Sequence, residues 1–329
     1  MKAMLIDDNK NFVWSDVENP TPKADEILIK IEAAAINRAD LLQKNGTYPS
    51  PKGWPQWPGL EVAGTVAGMG ADAEASGKFK IGDRVCALLG GGGYSEYVCA
   101  PYGMVMPMPK NLSFEEASAL PEAYATSYLN LFWEGHLKEG QTAFIPAGAS
   151  GLASVAIPMA KAFGARVITS VLSDEIAEKI KWLGADVIIN STTQCVEDIL
   201  AEEEKNGTPV NVAMDCLSGE TLGKSLPFMA DGGYWIVIST LAGIETNVLL
   251  RPLLTKSLHL VGSMLRKRSS EEKGRILGEL VERVWPKIES GEMRPSIFKV
   301  FPIEQAEEAI AVLQRNEHIG KIVLKVSHE

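Results

Sequence analysis

The residues with the clearest chemistry lie in Gln141–Phe163, QTAFIPAGASGLASVAIPMAKAF. A short apolar strand over Gln141–Pro146 runs into Gly148-Ala149-Ser150-Gly151-Leu152-Ala153, and the pattern predicts a helix over Leu152–Phe163 with a kink at Pro158. Such a turn directs backbone N–H groups and the positive end of a helix at a pyrophosphate. Gly148 is expected to permit the tight bend, Gly151 the close approach of a ligand, and small Ala153 the packing of helix on sheet, while Ser150 adds a hydroxyl. Ser150 and Ala153 replace two glycines of the full GxGxxG pattern, so the turn alone fits an ordinary strand–turn–helix connection as well.

The elements that follow favour the nucleotide. Arg166–Val171, Asp186–Asn190, Val210–Asp215 and Tyr234–Ser239 read as apolar strands separated by helical segments such as Asp174–Leu183. That alternation implies a parallel sheet covered on both faces. Ahead of it, Glu26–Ile31, Val62–Ala67, Arg84–Leu89 and Tyr97–Ala100 are short apolar runs between Gly/Pro turns, the mark of an irregular β-rich domain. The run Gly90–Gly93 is either a flexible turn or a place of close approach. A helix is expected over Ala123–Glu134, where the pattern changes. The tail predicts helices at Glu271–Ile288 and Ile303–Gln314, then a strand at Lys321–Val326 that could complete either domain.

A chain of 329 residues, 46% hydrophobic and 22% charged, has material for two folded domains. Its net charge of −10 disfavours a nucleic-acid surface, while Arg266-Lys267-Arg268 reads either as solvated surface or as a hold for one small phosphate. No apolar stretch approaches a membrane span and the amino terminus has no signal-peptide core, so no membrane association is expected. Cys86, Cys99, Cys195 and Cys216 form neither a metal knuckle nor a disulfide framework, which fits buried thiols in a reducing cytoplasm.

Several segments, taken in order, carry a resemblance. They are Asn37-Arg38-Ala39-Asp40, Gly46-Thr47-Tyr48, Gly59-Leu60-Glu61-Val62-Ala63-Gly64 and Lys80-Ile81-Gly82-Asp83-Arg84-Val85. Then come Gly91–Val98, Leu120-Pro121-Glu122-Ala123, the Gly148–Ala153 turn and Gly320-Lys321-Ile322-Val323-Leu324. Over nearly its whole length the chain resembles the zinc-free quinone oxidoreductase branch of the medium-chain dehydrogenase/reductase superfamily, in particular the p53-inducible quinone oxidoreductase-like group.

The resemblance implies an α/β protein with a GroES-like β-rich catalytic domain, residues 1–120 and 260–329, combined with a Rossmann nucleotide-binding domain, residues 121–259. The active cleft would lie between them. Zinc-dependent relatives place a Cys where this chain has Asn37 and a His where it has Leu60, and the clustered cysteines of their structural zinc lobe are missing. His136, His259, His318 and His328 form no evident ligand cluster, so no metal is expected.

The implied activity is NADPH-dependent hydride transfer to a quinone, with a conjugated carbonyl as the other acceptor class. The alternatives are an NAD(P)H-dependent enone or enoyl-thioester reductase and a regulatory or structural nucleotide-binding protein of little turnover. Asn37 would hydrogen-bond the acceptor without adding a charge, Asp40 would orient that segment, and Tyr48 would offer a ring face or a hydroxyl. The proton would come from a tyrosine, water or bulk solvent. Thr126 is an expected nicotinamide contact, Ser239, Leu241 and Gly243 are expected to border the nicotinamide ribose or ring, and Leu265 and Arg266 would line the far end of the cofactor channel.

For the cofactor, no acidic side chain stands at Ile168, Thr169 or Ser170, where a carboxylate would favour NADH. Ser170 and Ser173 could serve the 2′-phosphate of NADPH. Against this, Ile176 and Ser191 stand where relatives place a lysine and a tyrosine, Asp174 and Glu175 make a poor cradle, and NADH stays possible. Finally, the apolar run Ile244–Leu254 and the strand expected at Leu258–Met264 are read as the edge of a homodimer.

Overall fold

The computed structural model describes residues 1–316 and 318–328. The chain divides into two compact units, Met1–Ala125 with Arg268–Glu329, and Thr126–Lys267.

The first unit opens with the hairpin β1 (Lys2–Ile6) and β2 (Phe12–Asp16), followed by β3 (Glu26–Ala35), β4 (Glu61–Met69), β5 (Arg84–Leu88), β6 (Tyr97–Pro101) and β7 (Val105–Pro107). Strand β3 is the axis. Ile27, Ile29 and Ile31 are fully buried on one face, as the two-residue strand period requires. It pairs antiparallel with β4 on one side, and with β6 along its amino-terminal half on the other. The second unit contributes β8 (Thr142–Ile145), β9 (Arg166–Val171), β10 (Val187–Asn190), β11 (Val210–Asp215), β12 (Met229–Val237) and β13 (His259–Gly262). These six form one parallel sheet in the order β10-β9-β8-β11-β12-β13. Phe144, Ile168, Ala213 and Trp235 fill its core. The order reverses at β8, the place where open α/β sheets of this kind hold their ligands.

The chain then returns through β14 (Ile297–Pro302) and β15 (Lys321–Lys325) to the first unit. Val323 and Leu324 pair with Ala35 and Ala34 of β3, which settles where the last strand belongs.

Two expected helices are not continuous. Ala123–Glu134 resolves into an α-helix, Pro121–Tyr128, and a π-helical stretch, Leu129–Glu134. The buried Asn130 side chain donates to the Thr126 carbonyl at 2.7 Å and competes there with the regular backbone ladder. Glu271–Ile288 becomes Ser270–Glu279, a π turn at Leu280–Val284 and Trp285–Glu289, because Pro286 has no N–H to give to the preceding turn. The helix Ala153–Ala162 runs through Pro158.

Candidate active site and nucleotide site

In the second unit, the sharp bend after β8 falls on Ala147, whose φ is 57°, and Gly148 has no positive φ. The expectation that Gly148 makes the bend is therefore corrected. Its lack of a side chain serves space, since a Cβ there would lie 2.5 Å from Thr169 Oγ1 and 2.8 Å from Ile180 Cδ1. Its N–H donates to the Ser170 carbonyl at 2.8 Å, which pins the turn to β9. Ser150 accepts from the N–H of Ala153, the first residue of the helix Ala153–Ala162, at 3.1 Å. The N–H groups of Gly151 and Leu152 find no acceptor among the described residues. Free amides at the mouth of a helix that follows the switch-point strand fit the pyrophosphate of a dinucleotide.

Around this turn, Ser170 is buried at the end of β9, and Ser173 caps the helix Asp174–Ile180 by accepting from the Ile176 N–H at 3.2 Å. Asp174 accepts from Asn190 Nδ2 at 2.8 Å, and Glu175 pairs with Lys179 at 2.6 Å. Beyond β12, the Ser239 carbonyl accepts from the Ser218 hydroxyl at 2.8 Å, and Leu241 is exposed. Leu265 is buried, whereas Thr126 and Arg266 are half-buried. Asp215 accepts from the N–H groups of Leu217 and Ser218 and from Trp235 Nε1, the turn-and-cap work of a structural residue.

In the first unit, Asn37 and Asp40 sit at the start of the helix Arg38–Lys44. Asp40 is fully buried and accepts from the Asn37 N–H (2.7 Å), the Gly59 N–H (3.0 Å) and the Tyr94 hydroxyl (2.9 Å). It orients the segment, as expected, and does so from the core. The Asn37 side chain donates to Glu61 Oε1 (2.9 Å) and the Ala35 carbonyl (3.3 Å), and its Oδ1 accepts from Lys321 Nζ (2.7 Å). Both amide hydrogens are thus engaged, so Asn37 presents a fixed neutral wall rather than a spare donor. Tyr48 lies half-buried on the loop that leaves this helix. That loop rests on Gly90–Gly92. A Cβ on Gly90 would lie 2.6 Å from the Trp54 ring, one on Gly92 2.7 Å from Pro55 Cγ, and one on Gly91 would strike the Ser50 hydroxyl. The glycine run is a bed for the chain's own loop. Tyr94, Glu61 and Lys321 were not among the residues singled out as site candidates. All three stand in recognisable segments, but nothing local marks Glu61 and Lys321 as a pair.

Burial pushes the Asp40 carboxyl from its ordinary 3.8 up to about 6, against the opposing pull of the Asn37 and Gly59 N–H groups, the Tyr94 hydroxyl and the Lys321 charge. Burial and the Asp40 charge push Tyr94 upward, which keeps it a donor. Between pH 3.8 and about 6 the folded state holds a proton that the unfolded chain has released. Asp40 therefore stabilises the fold below that window, and the contribution fades as pH rises through it, by about 3 kcal/mol in all. Urea unfolding from pH 4 to 7 is expected to show wild type losing stability relative to Asp40→Asn as pH rises; parallel curves would contradict this.

Residues 23–110 match the alcohol dehydrogenase GroES-like domain, and residues 183–324 match the zinc-binding dehydrogenase family. The zinc-type alcohol dehydrogenase-like protein of Schizosaccharomyces pombe is 31% identical, over 92% of this chain and 91% of its own. The chain belongs to the medium-chain dehydrogenase/reductase superfamily. The quinone oxidoreductase of Mus musculus is a further relative of this dehydrogenase/reductase, 28% identical over 94% and 92% of the two chains. A mycobacterial member solved in complex with NADPH superposes with a TM-score of 0.83 at 27% identity, covering 99% of each chain. The protein is an NAD(P)H-dependent oxidoreductase.

Zinc, which the family description names, finds no suitable donors at the positions that hold it in zinc-dependent relatives. Leu60 is buried and has no ligating atom, and Asn37 is held by a carboxylate and an ammonium. Among the described residues no group of three His, Cys, Asp or Glu side chains could hold a metal.

Proposed function

We propose that the protein is an NADPH-dependent quinone reductase that works without zinc. The observation that carries this reading is the neutral Asn37 amide held between Glu61 and Lys321, at the head of the helix whose exit loop bears Tyr48. A flat, uncharged acceptor suits such a wall, and the bound nicotinamide would supply the hydride. The backbone amides of Gly151 and Leu152 would hold the pyrophosphate, with Thr126, Ser239, Leu241, Leu265 and Arg266 along the rest of the cofactor. Tyr48 would present its ring to the acceptor and its hydroxyl to the oxygen that gains charge, or relay a proton from water.

The preference for NADPH is supported by the acids that follow β9. Asp174 and Glu175 are engaged by Asn190 and Lys179, so neither is left as a ribose acceptor of the kind that favours NADH. The Ser173 oxygen is used as a cap, and its proton is free to face a phosphate. Lys179, the nearby cation that could reach a 2′-phosphate, is held by Glu175, which argues for a modest preference. A cytoplasmic location is proposed on Cys86, Cys99 and Cys195, which form no disulfide, and no helix among the described residues is long and apolar enough to cross a membrane.

The test is a steady-state screen of NADPH and NADH against quinones, enones and enoyl thioesters, before and after exhaustive chelation. Quinones with NADPH are expected to give the highest kcat/KM, unchanged by chelation. Tyr48→Phe should lower quinone kcat/KM about tenfold while leaving nucleotide affinity intact. Zinc-dependent turnover, or an enoyl thioester as the best acceptor, would replace this reading.

A homodimer is proposed at β13. This strand is the edge of the sheet, Leu260 on it is exposed, and Ile244, Leu250 and Leu254 nearby in sequence are 84%, 72% and 80% exposed. Pairing with a second copy would satisfy the open edge and cover those side chains. Light scattering is expected to give the dimer mass for wild type and the monomer mass for Leu250→Asp/Leu254→Asp. A monomeric wild type at working concentration would refute it.

A further inference from the structure

Glu61 and Lys321 are buried, charged and unused by the reduction itself. Their side chains are 0% and 4% exposed, and Lys321 Nζ lies 2.8 Å from Glu61 Oε1. The ammonium also donates to Asn37 Oδ1 at 2.7 Å and to the Ile36 carbonyl at 3.1 Å, which exhausts its donors. Glu61 Oε1 accepts from Asn37 Nδ2, and Oε2 accepts from the Glu122 N–H at 2.8 Å, in the first turn of the helix Pro121–Tyr128. Four stretches of chain converge on one ion pair: the end of β3, the start of β4, the start of β15 and that helix.

A buried ion pair adds little net stability over an apolar pair of similar size. What it adds here is direction. An amide can present oxygen and nitrogen either way round, but with an ammonium on one side and a carboxylate on the other only one orientation satisfies every partner. We propose that Glu61 and Lys321 are positioning residues for acceptor reduction, holding the Asn37 amide and the first turn of the helix Pro121–Tyr128 in the arrangement on which the acceptor lies. This rests on the reductase reading above. The Gly148–Ala153 turn lies in the other unit, so nucleotide affinity, apart from the Thr126 contact on the last turn of that helix, serves as a separate readout.

The test uses the full chain with NADPH and 1,4-benzoquinone, and compares wild type, Asn37→Ala, the paired variant Lys321→Met/Glu61→Gln and the triple combination. The paired variant removes both charges and strands neither. It is expected to keep its NADPH Kd within about twofold and to lose at least about tenfold in quinone kcat/KM, mainly in kcat, because misplacing a reactant-facing group by a fraction of an ångström carries that cost. Adding Asn37→Ala should cost nothing further, since both changes remove the same arrangement. A folded paired variant with quinone turnover near wild type, a loss that adds independently to that of Asn37→Ala, or equal losses in turnover and nucleotide affinity would each overturn the proposal. Should the paired variant fail to fold, Glu61→Asp keeps the charge but withdraws the carboxylate by one methylene. The same loss in kcat with NADPH Kd retained is then expected, and unchanged turnover overturns the proposal. A wild type that binds NADPH but reduces neither quinone nor enone fails the reductase reading and this proposal with it. If Asn37→Ala lowers turnover and the paired variant does not, the proposal alone fails.

Discussion

Gly59→Ala is expected to cost the first unit about 4 kcal/mol or more and to lower its Tm by on the order of 10 °C. Gly59 has φ +109°, a region that side chains rarely adopt, and a Cβ there would lie 2.5 Å from Gly93 Cα and from Tyr94 N. These are backbone atoms of a buried strand connection, so nothing flexible can give way. Moving Gly59 would also withdraw its N–H from Asp40 and leave part of a buried carboxylate unsatisfied. Thermal unfolding followed by circular dichroism measures the effect. A change under about 1 kcal/mol would mean that the Gly59–Gly93 approach is looser than described.

Gly148→Val is expected to raise the NADPH Kd about a hundredfold, close to 3 kcal/mol, with a much smaller effect on the stability of the first unit. The first added carbon already meets Thr169 and Ile180 at 2.5 and 2.8 Å, so the turn must lift away from β9 and break the Gly148–Ser170 hydrogen bond. The amides of Gly151 and Leu152 move with it, and they are the groups left over for a phosphate. Titration of nucleotide fluorescence reads the loss directly. Retained affinity would place the pyrophosphate elsewhere.

Much of the second unit was legible because its signals are local. The apolar strands at Arg166–Val171 and Val210–Asp215 match their observed limits, since β-branched runs between turns leave little choice of conformation. Strand β12 reaches back to Met229, and Gly232–Gly233 hid its first half from any pattern of apolar residues. The breaks in the two helices that turn into π stretches escape the apolar pattern for a shared reason. Apolar periodicity shows which face is buried, whereas an Asn130 side chain bonding to Thr126 or a missing donor at Pro286 decides whether the ladder continues.

By itself, the sequence determined the parallel sheet, the strand–turn–helix connection at Gly148–Ala153, the absence of ligating atoms at Leu60, and the family to which these motifs belong. Those properties depend on residue types and on spacings within a few tens of residues. Only the tertiary structure decided that Ala147 and not Gly148 makes the bend, that Gly90–Gly92 supports Trp54 and Pro55, and that the tail closes onto β3. It also decided the partnership of Asn37 with Glu61 and Lys321. That group is assembled by β3, β4 and β15 from opposite ends of the chain, and the energy of a buried charge depends on what surrounds it in space rather than on its neighbours in sequence.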